Sequence, residues 1–167
     1  MAEMEIVRRL APLGRFSLRL DEADREAAAA AIAVPLGGRI GTIAEAGARR
    51  SLRLAPDEWF LAVPLQDVTS VADAWAGAGI VGSLVEITNR EVSFAIAEPV
   101  AEDVLAHGCP RDLSAMAPGR GARTVFDGVD VVLWRFEDRF EMDLWPSFAP
   151  FVEALLRAAT REMAAAG

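Results

Sequence analysis

The sequence predicts an α+β fold in which one unit is used twice. Three observations carry that prediction. The first is a repeat of order. Phe16-Ser17-Leu18-Arg19-Leu20, an Ala-rich run, Gly38-Arg39-Ile40-Gly41-Thr42, Ser51-Leu52-Arg53-Leu54 and then residues 57–64 are matched, about eighty residues later, by Val92-Ser93-Phe94-Ala95-Ile96-Ala97, a helical run, Gly119-Arg120-Gly121-Ala122-Arg123-Thr124, residues 131–136 and residues 137–146. That offset exceeds the roughly 20–50-residue periods of solenoids and propellers, so it marks a duplicated unit. The second is two-residue alternation of apolar side chains in the short runs, the period of a half-buried strand. The third is three- and four-residue apolar spacing in the runs between them, which is helical. Each half reads strand, helix, strands, hairpin, helix, with a mainly antiparallel sheet and helices on one face. The expected organisation is a single domain over residues 1–167 with pseudo-equivalent halves at about 15–80 and 83–163.

Taken in order, residues 1–14 read as a short lead-in. Phe16, Leu18 and Leu20 alternate with polar residues as a strand. Asp21 or Asp24 caps the helix that follows, with Glu22 and Glu26 near its positive end. Val34-Pro35-Leu36-Gly37-Gly38 stops it. Strand-like residues through Ile40 and Ile43 lead to Ser51-Leu52-Arg53-Leu54, and Ala55-Pro56-Asp57-Glu58 turns the chain into a hairpin with residues 59–63. Residues 67–76 form a helix with Val68, Val71, Ala72 and Trp75 on one face. In the second half, residues 84–88 and 92–97 read as strands joined through Asn89-Arg90-Glu91. Val100, Val104 and Leu105 give the next helix its stripe. Asp127-Gly128 is a favourable hairpin turn. The last helix runs from Phe148 to about Met163, with Phe148, Phe151, Val152, Leu155 and Leu156 at helical spacing.

Composition narrows the function classes. The chain has 167 residues, one cysteine, one histidine, no tyrosine, and 17 cationic residues that are all arginine. Without lysine there is neither a Schiff-base nor a P-loop lysine. A formal charge of −8 and a pI near 4.7 oppose general nucleic-acid binding, which needs a basic face. Mean hydropathy is high at +0.24, yet no run approaches the ~18 apolar residues of a membrane span, and no secretory signal is read. A lone cysteine suits a reducing cytoplasm. The acid–base inventory is thin, which points to binding or assembly.

Four groups invite a chemical reading. Gly77, Gly79 and Gly82 satisfy G-x-G-x-x-G, but they follow a helix and open a strand, the reverse of a dinucleotide site; the expectation is a helix-ending loop. His107, Cys109 and Asp112 suggest a thiol site, but Cys109 falls just past a helix C-terminus, where the dipole opposes a thiolate. Gly108 is expected as a left-handed cap and Pro110 as the stop. Arg39, Arg120 and Arg123 in the matched Gly-Arg segments suit an anion or, more ordinarily, surface pairing. Of Trp59, Trp75, Trp134, Phe140, Trp145 and Phe148, most are expected in the core, with a subset left exposed as interface anchors. No catalytic, cofactor-binding or metal-binding residue is assigned.

Residues 85–156 resemble the gamma subunit family of heterotetrameric sarcosine oxidase. The matching pieces are Val85-Glu86-Ile87-Thr88-Asn89-Arg90, residues 104–113 around Gly108-Cys109-Pro110-Arg111-Asp112-Leu113, Pro118-Gly119-Arg120 with Arg123-Thr124, Val132-Leu133-Trp134-Arg135 and Pro146-Ser147-Phe148. In the first half Leu54-Ala55-Pro56-Asp57-Glu58-Trp59 is similar to the same family's hairpin. Ala55 and Glu98 stand where related sequences carry glycine. The resemblance implies a fold similar to the folate-binding domain of aminomethyltransferases, itself a duplicated α+β unit. It also implies a cytoplasmic complex that oxidatively demethylates sarcosine to glycine, makes hydrogen peroxide and passes the one-carbon unit to tetrahydrofolate or releases formaldehyde.

On that resemblance FAD, FMN, NAD, tetrahydrofolate and zinc belong to partner subunits. This chain then assembles with the other sarcosine oxidase subunits, chiefly alpha. It is part of an oxidoreductase without catalytic residues of its own, with no nucleic-acid or membrane partner, and it tends to self-associate when isolated. The alternatives are a freestanding folate-binding protein related to aminomethyltransferases or to the iron–sulfur assembly factors of that fold, and a small thiol enzyme using Cys109. The assembly factors place a cysteine in Lys-Gly-Cys-Tyr-x-Gly-Gln, with which His107-Gly108-Cys109-Pro110 shares little.

Overall fold

A computed structural model describes residues 6–166. Two compact units are distinguished, one formed by Pro12–Asn89, the other by Arg90–Gly167 together with Met1–Ala11. Strand β1 (Val7–Arg9) opens the chain and belongs to the latter unit.

The Pro12–Asn89 unit contains β2 (Gly14–Leu20), α1 (Arg25–Ile32), β3 (Ile43–Ala46), β4 (Arg49–Ala55), β5 (Glu58–Val63), α2 (Val68–Ala78) and β6 (Gly82–Glu86). Its sheet has the order β3-β4-β5-β2-β6, antiparallel throughout. The period-2 rule sends Phe16, Leu18 and Leu20 of β2 to one face, beside Trp59, Leu61 and Val63 of β5. There they meet Ala28 and Ile32 of α1 and Val71 of α2 in one core. Val68 and Trp75 pack on the same cluster, whereas Ala72, expected on that face, is exposed. Strand β5 is buried along its whole length, Phe60 and Ala62 of its other face included. That explains its continuous apolar run. Asp21 accepts from the Ala23 N–H at 2.8 Å, and α1 ends at Ala33 in the left-handed region (φ 52°).

The other unit contains β7 (Val92–Ala97), α3 (Ala101–Ala106), β8 (Arg120–Phe126), β9 (Val129–Arg135), β10 (Arg139–Leu144) and α4 (Ala149–Ala166). Its sheet order is β8-β9-β10-β7-β1, again antiparallel. Phe94, Ile96, Leu133, Phe140, Met142 and Leu144 face Val104 and Leu105 of α3 and Val152 and Leu156 of α4. Asp127 (φ 47°) and Gly128 (φ 80°) close the β8–β9 hairpin in the two-residue turn with positive φ at both positions that the dipeptide predicts.

The two sheets therefore share one topology: β2 corresponds to β7, α1 to α3, the three strands that follow to β8, β9 and β10, and α2 to α4. They differ in the fifth place. Strand β6 follows α2 and pairs with β2. Its counterpart beside β7 is β1, from the start of the chain. This corrects two expectations. The segment from 84, expected to open the second half, instead closes the preceding sheet, with Leu84 opposite Leu18 and Val85 opposite Ser17. The lead-in is not featureless either: Val7 lies opposite Ile96 and is buried, while residues 1–5 of that lead-in lie outside the described residues. A three-residue strand with one apolar side chain gives no alternation to read.

Among the described residues no helix is long and apolar enough to cross a membrane.

Candidate interaction surface

The glycine triplet lies where its context placed it. Gly79 caps α2 in the left-handed conformation (φ 67°). Gly82 opens β6 so close to β2 that a Cβ there would sit 2.5 Å from the Arg19 carbonyl oxygen. Both positions are explained by backbone geometry, with no phosphate required.

His107, Cys109 and Asp112 are turned to separate tasks. His107 follows α3, and its Nδ1 lies 2.9 Å from the Asp103 carbonyl; since a carbonyl only accepts, Nδ1 carries the proton and donates. Its Nε2 faces Glu162 of α4 at 3.8 Å. Cys109 is buried in the core of its unit, 3.9 Å from the Thr124 hydroxyl, and its N–H donates to the Leu105 carbonyl at the helix end. Asp112 accepts from the Ser114 hydroxyl at 2.6 Å and the Ser114 N–H at 3.1 Å. The Ser114 hydroxyl bond, opposed by slight burial and helped by the Ala115 and Ser114 amides, holds its carboxyl below the ordinary range.

Gly108 is not the left-handed cap expected: positive φ values belong to other glycines. It is small because a Cβ would meet the Phe126 ring at 2.9 Å and the Asp127 nitrogen at 3.0 Å, where the Asp127 N–H donates to the Gly108 carbonyl at 2.8 Å. The cap role and the close approach share one sequence signal.

The arginines of the matched Gly-Arg segments are divided between the units, Arg39 in one and Arg120 and Arg123 in the other. Arg39 is exposed in the turn before Gly41. Arg120 and Arg123 stand three residues apart on β8, hence on opposite faces of that strand. No group of three or more His, Cys, Asp or Glu is placed to hold a metal ion among the described residues. Among the hollows beside the Arg90–Gly167 unit's elements, one of about 190 Å³ is lined by His107, Phe126 and Glu162, and another of about 280 Å³ by Arg8, Glu98 and Arg139. Both are below the roughly 300–1,000 Å³ of small-molecule sites.

The aromatics separate into two sets. Trp59, Trp134 and Phe140 are fully buried, with Trp75 half-buried. Trp59 Nε1 donates to the Gly37 carbonyl at 2.9 Å. Trp145, Phe148 and Phe151 are 51%, 42% and 48% exposed. The last two share the helical spacing of Val152, Leu155 and Leu156, yet they are not part of the buried stripe of α4. That stripe is Ala149, Val152, Leu156 and Ala159, and the phenylalanines lie on its flank. The apolar arc of this helix is wider than the core it covers.

The Trp145 N-cap, the 3-10 turn Pro146–Phe148 and the first turns of α4 thus present an open aromatic surface, the kind of patch that marks contact sites. It is the strongest candidate site on the chain.

No protein-family model matches this chain, and the curated proteins contain no match. Solved structures do match. A chain of the heterotetrameric sarcosine oxidase from Corynebacterium sp. U-96 superimposes with a TM-score of 0.82 at 24% identity, over 93% of this chain and 83% of that one. The glycine cleavage system aminomethyltransferase T from Bartonella henselae gives 0.70 at 19% identity, over 90% of this chain. The fold is the one these two proteins share. The present chain spans 44% of the aminomethyltransferase's length. The resemblance read in the sequence is thus borne out at the level of fold.

Proposed function

We propose that this chain is a noncatalytic gamma-type subunit of a heterotetrameric sarcosine oxidase, acting in assembly and stabilisation of the complex. The supporting observation is the fold shared, over nearly the full length of both chains, with a chain of such an enzyme. The open surface at Trp145, Phe148 and Phe151 supports it independently, because a partner burying such a patch gains about 25 cal/mol per Å² of apolar area. Local structural tasks for His107, Cys109 and Asp112 fit a chain that leaves the chemistry to others. On this reading FAD, FMN, NAD, tetrahydrofolate and zinc are held by partner subunits, chiefly alpha among the contacts. The complex is cytoplasmic, and it converts sarcosine to glycine with hydrogen peroxide and one-carbon transfer or formaldehyde release.

The test uses the isolated chain. It should oxidise no sarcosine, show no flavin absorbance and leave tetrahydrofolate titrations flat. Turnover of sarcosine or tight folate binding by the chain alone overturns the proposal.

A further inference from the structure

From residue 144 to residue 152 the chain carries no charged side chain, although 25% of the protein is charged. The Phe148 N–H donates to the Trp145 carbonyl at 3.0 Å, so the two exposed aromatics bracket a single 3-10 turn. Phe151 follows three residues on, over the same flank of α4. The Arg90 guanidinium lies over the Trp145 ring, 5.4 Å from its centroid. Among the described residues no carboxylate pairs with Arg90.

A guanidinium held over a ring by the π face still has N–H groups with which to form the fork that fits a carboxylate. The arrangement is an uncharged aromatic centre with one cation at its margin. Specific interfaces are built the same way, with a desolvated core, a polar rim, and Trp and Arg as anchors.

We infer that Trp145, Phe148, Phe151 and Arg90 form the surface by which this chain docks on a catalytic subunit, and that the partner surface is an apolar groove with a carboxylate at its rim facing Arg90. This rests on the assembly role proposed above. The charge pattern fixes the chemistry of the occupant: an acidic rim satisfies Arg90, whereas a second copy of this same face would set one Arg90 near another and repel. The other large exposed apolar residues among those described, Ile40, Leu65, Val81 and Val85, lie in the Pro12–Asn89 unit and supply a control.

The experiment measures the dissociation constant between this chain and the remaining sarcosine oxidase subunits, purified together without it. Trp145→Ala, Phe151→Ser and Arg90→Glu should each weaken binding about tenfold or more, with unchanged thermal melts because all three side chains are exposed. Val81→Ser should bind as wild type. Wild-type affinity should fall with added salt, and Arg90→Gln should flatten that dependence. If wild type binds and the Trp145, Phe151 and Arg90 variants match it, the docking face is wrong while the assembly role stands. If wild type itself fails to bind, the role and the face fall together.

Discussion

Arg53 and Arg135 occupy the same place in their respective units. Arg53 on β4 lies directly opposite Trp59 on β5 and stacks 4.5 Å from its ring centroid. Arg135 on β9 lies opposite Phe140 on β10 and stacks at 5.0 Å. Arg53 donates to the carbonyls of Gly38, Ala55 and Pro56, and Arg135 to those of Leu113 and Met116. Each also pairs at 2.5 Å with a glutamate, Glu22 in the 3-10 turn just before α1 and Glu102 in the first turn of α3. The duplication therefore extends from topology to side-chain chemistry: in each unit one arginine, buried in the case of Arg53 and partly buried in that of Arg135, ties the sheet to the helix start and a loop.

Truncating either arginine should cost far more than an ordinary surface change. Arg53→Ala leaves its loop carbonyls without their charged donor, and about 2–4 kcal/mol of unfolding free energy should be lost in urea denaturation. Arg53→Lys should recover little, since an ammonium cannot reproduce the planar fork or the stacking. A loss below about 1 kcal/mol would show that the loop holds itself.

Glu22 gives this network a pH signature. The hydrogen bond from Arg25, opposed by slight burial and reinforced by the charge of Arg53, holds its carboxyl below the ordinary 4.5. A depressed acid stabilises the folded state above its unfolded-state value, and that contribution fades as pH falls through the folded-state value. The melting-temperature gap between wild type and Glu22→Gln should therefore be open at neutral pH and close in acid below about 4.5. A gap that is flat from pH 7 to pH 3 would contradict the pairing.

Trp134 and Asp143 form a second buried link: the indole N–H donates to Oδ2 at 2.7 Å, while Oδ1 accepts from the Ser93 hydroxyl. All three residues are buried. Trp134→Phe keeps an aromatic ring but removes the donor and the rest of the indole, so it should cost at least about 1–3 kcal/mol, measured by chemical denaturation. A neutral effect would mean that the indole bond contributes nothing.

The glycine triplet is separable by single methyl groups. Gly82→Ala pushes a Cβ toward the Arg19 carbonyl and should destabilise the protein. Gly77 lies within α2 with open space around it, so Gly77→Ala should be neutral or stabilise by about 0.5–1 kcal/mol. Thermal melts of both variants test this, and equal effects would refute the geometric account.

The fold was legible where alternation and spacing are imposed by a buried face. Phe16, Leu18 and Leu20 declare β2, and Ser51-Leu52-Arg53-Leu54 set against Leu133-Trp134-Arg135-Phe136 already aligns the two arginines. Strand pairing was not legible for residues 84–88, because Leu84 and Val85 fit an edge next to β2 as well as next to β7. The candidate surface was half legible. Expecting some aromatics to stay exposed was sound, but helical spacing alone did not separate Phe148 and Phe151 from the buried positions of the helix. Periodicity marks which positions are apolar, and only the width of the neighbouring core decides which of them it covers. Gly108 shows the same limit: a cap and a close approach both select glycine.

Native mass spectrometry of the co-expressed oxidase tests the assembly role most directly. The account predicts an intact heterotetramer that retains this chain, and loss of that assembly when the chain is left out. A complete, stable oxidase that forms without it, or that excludes it when it is present, would contradict the account.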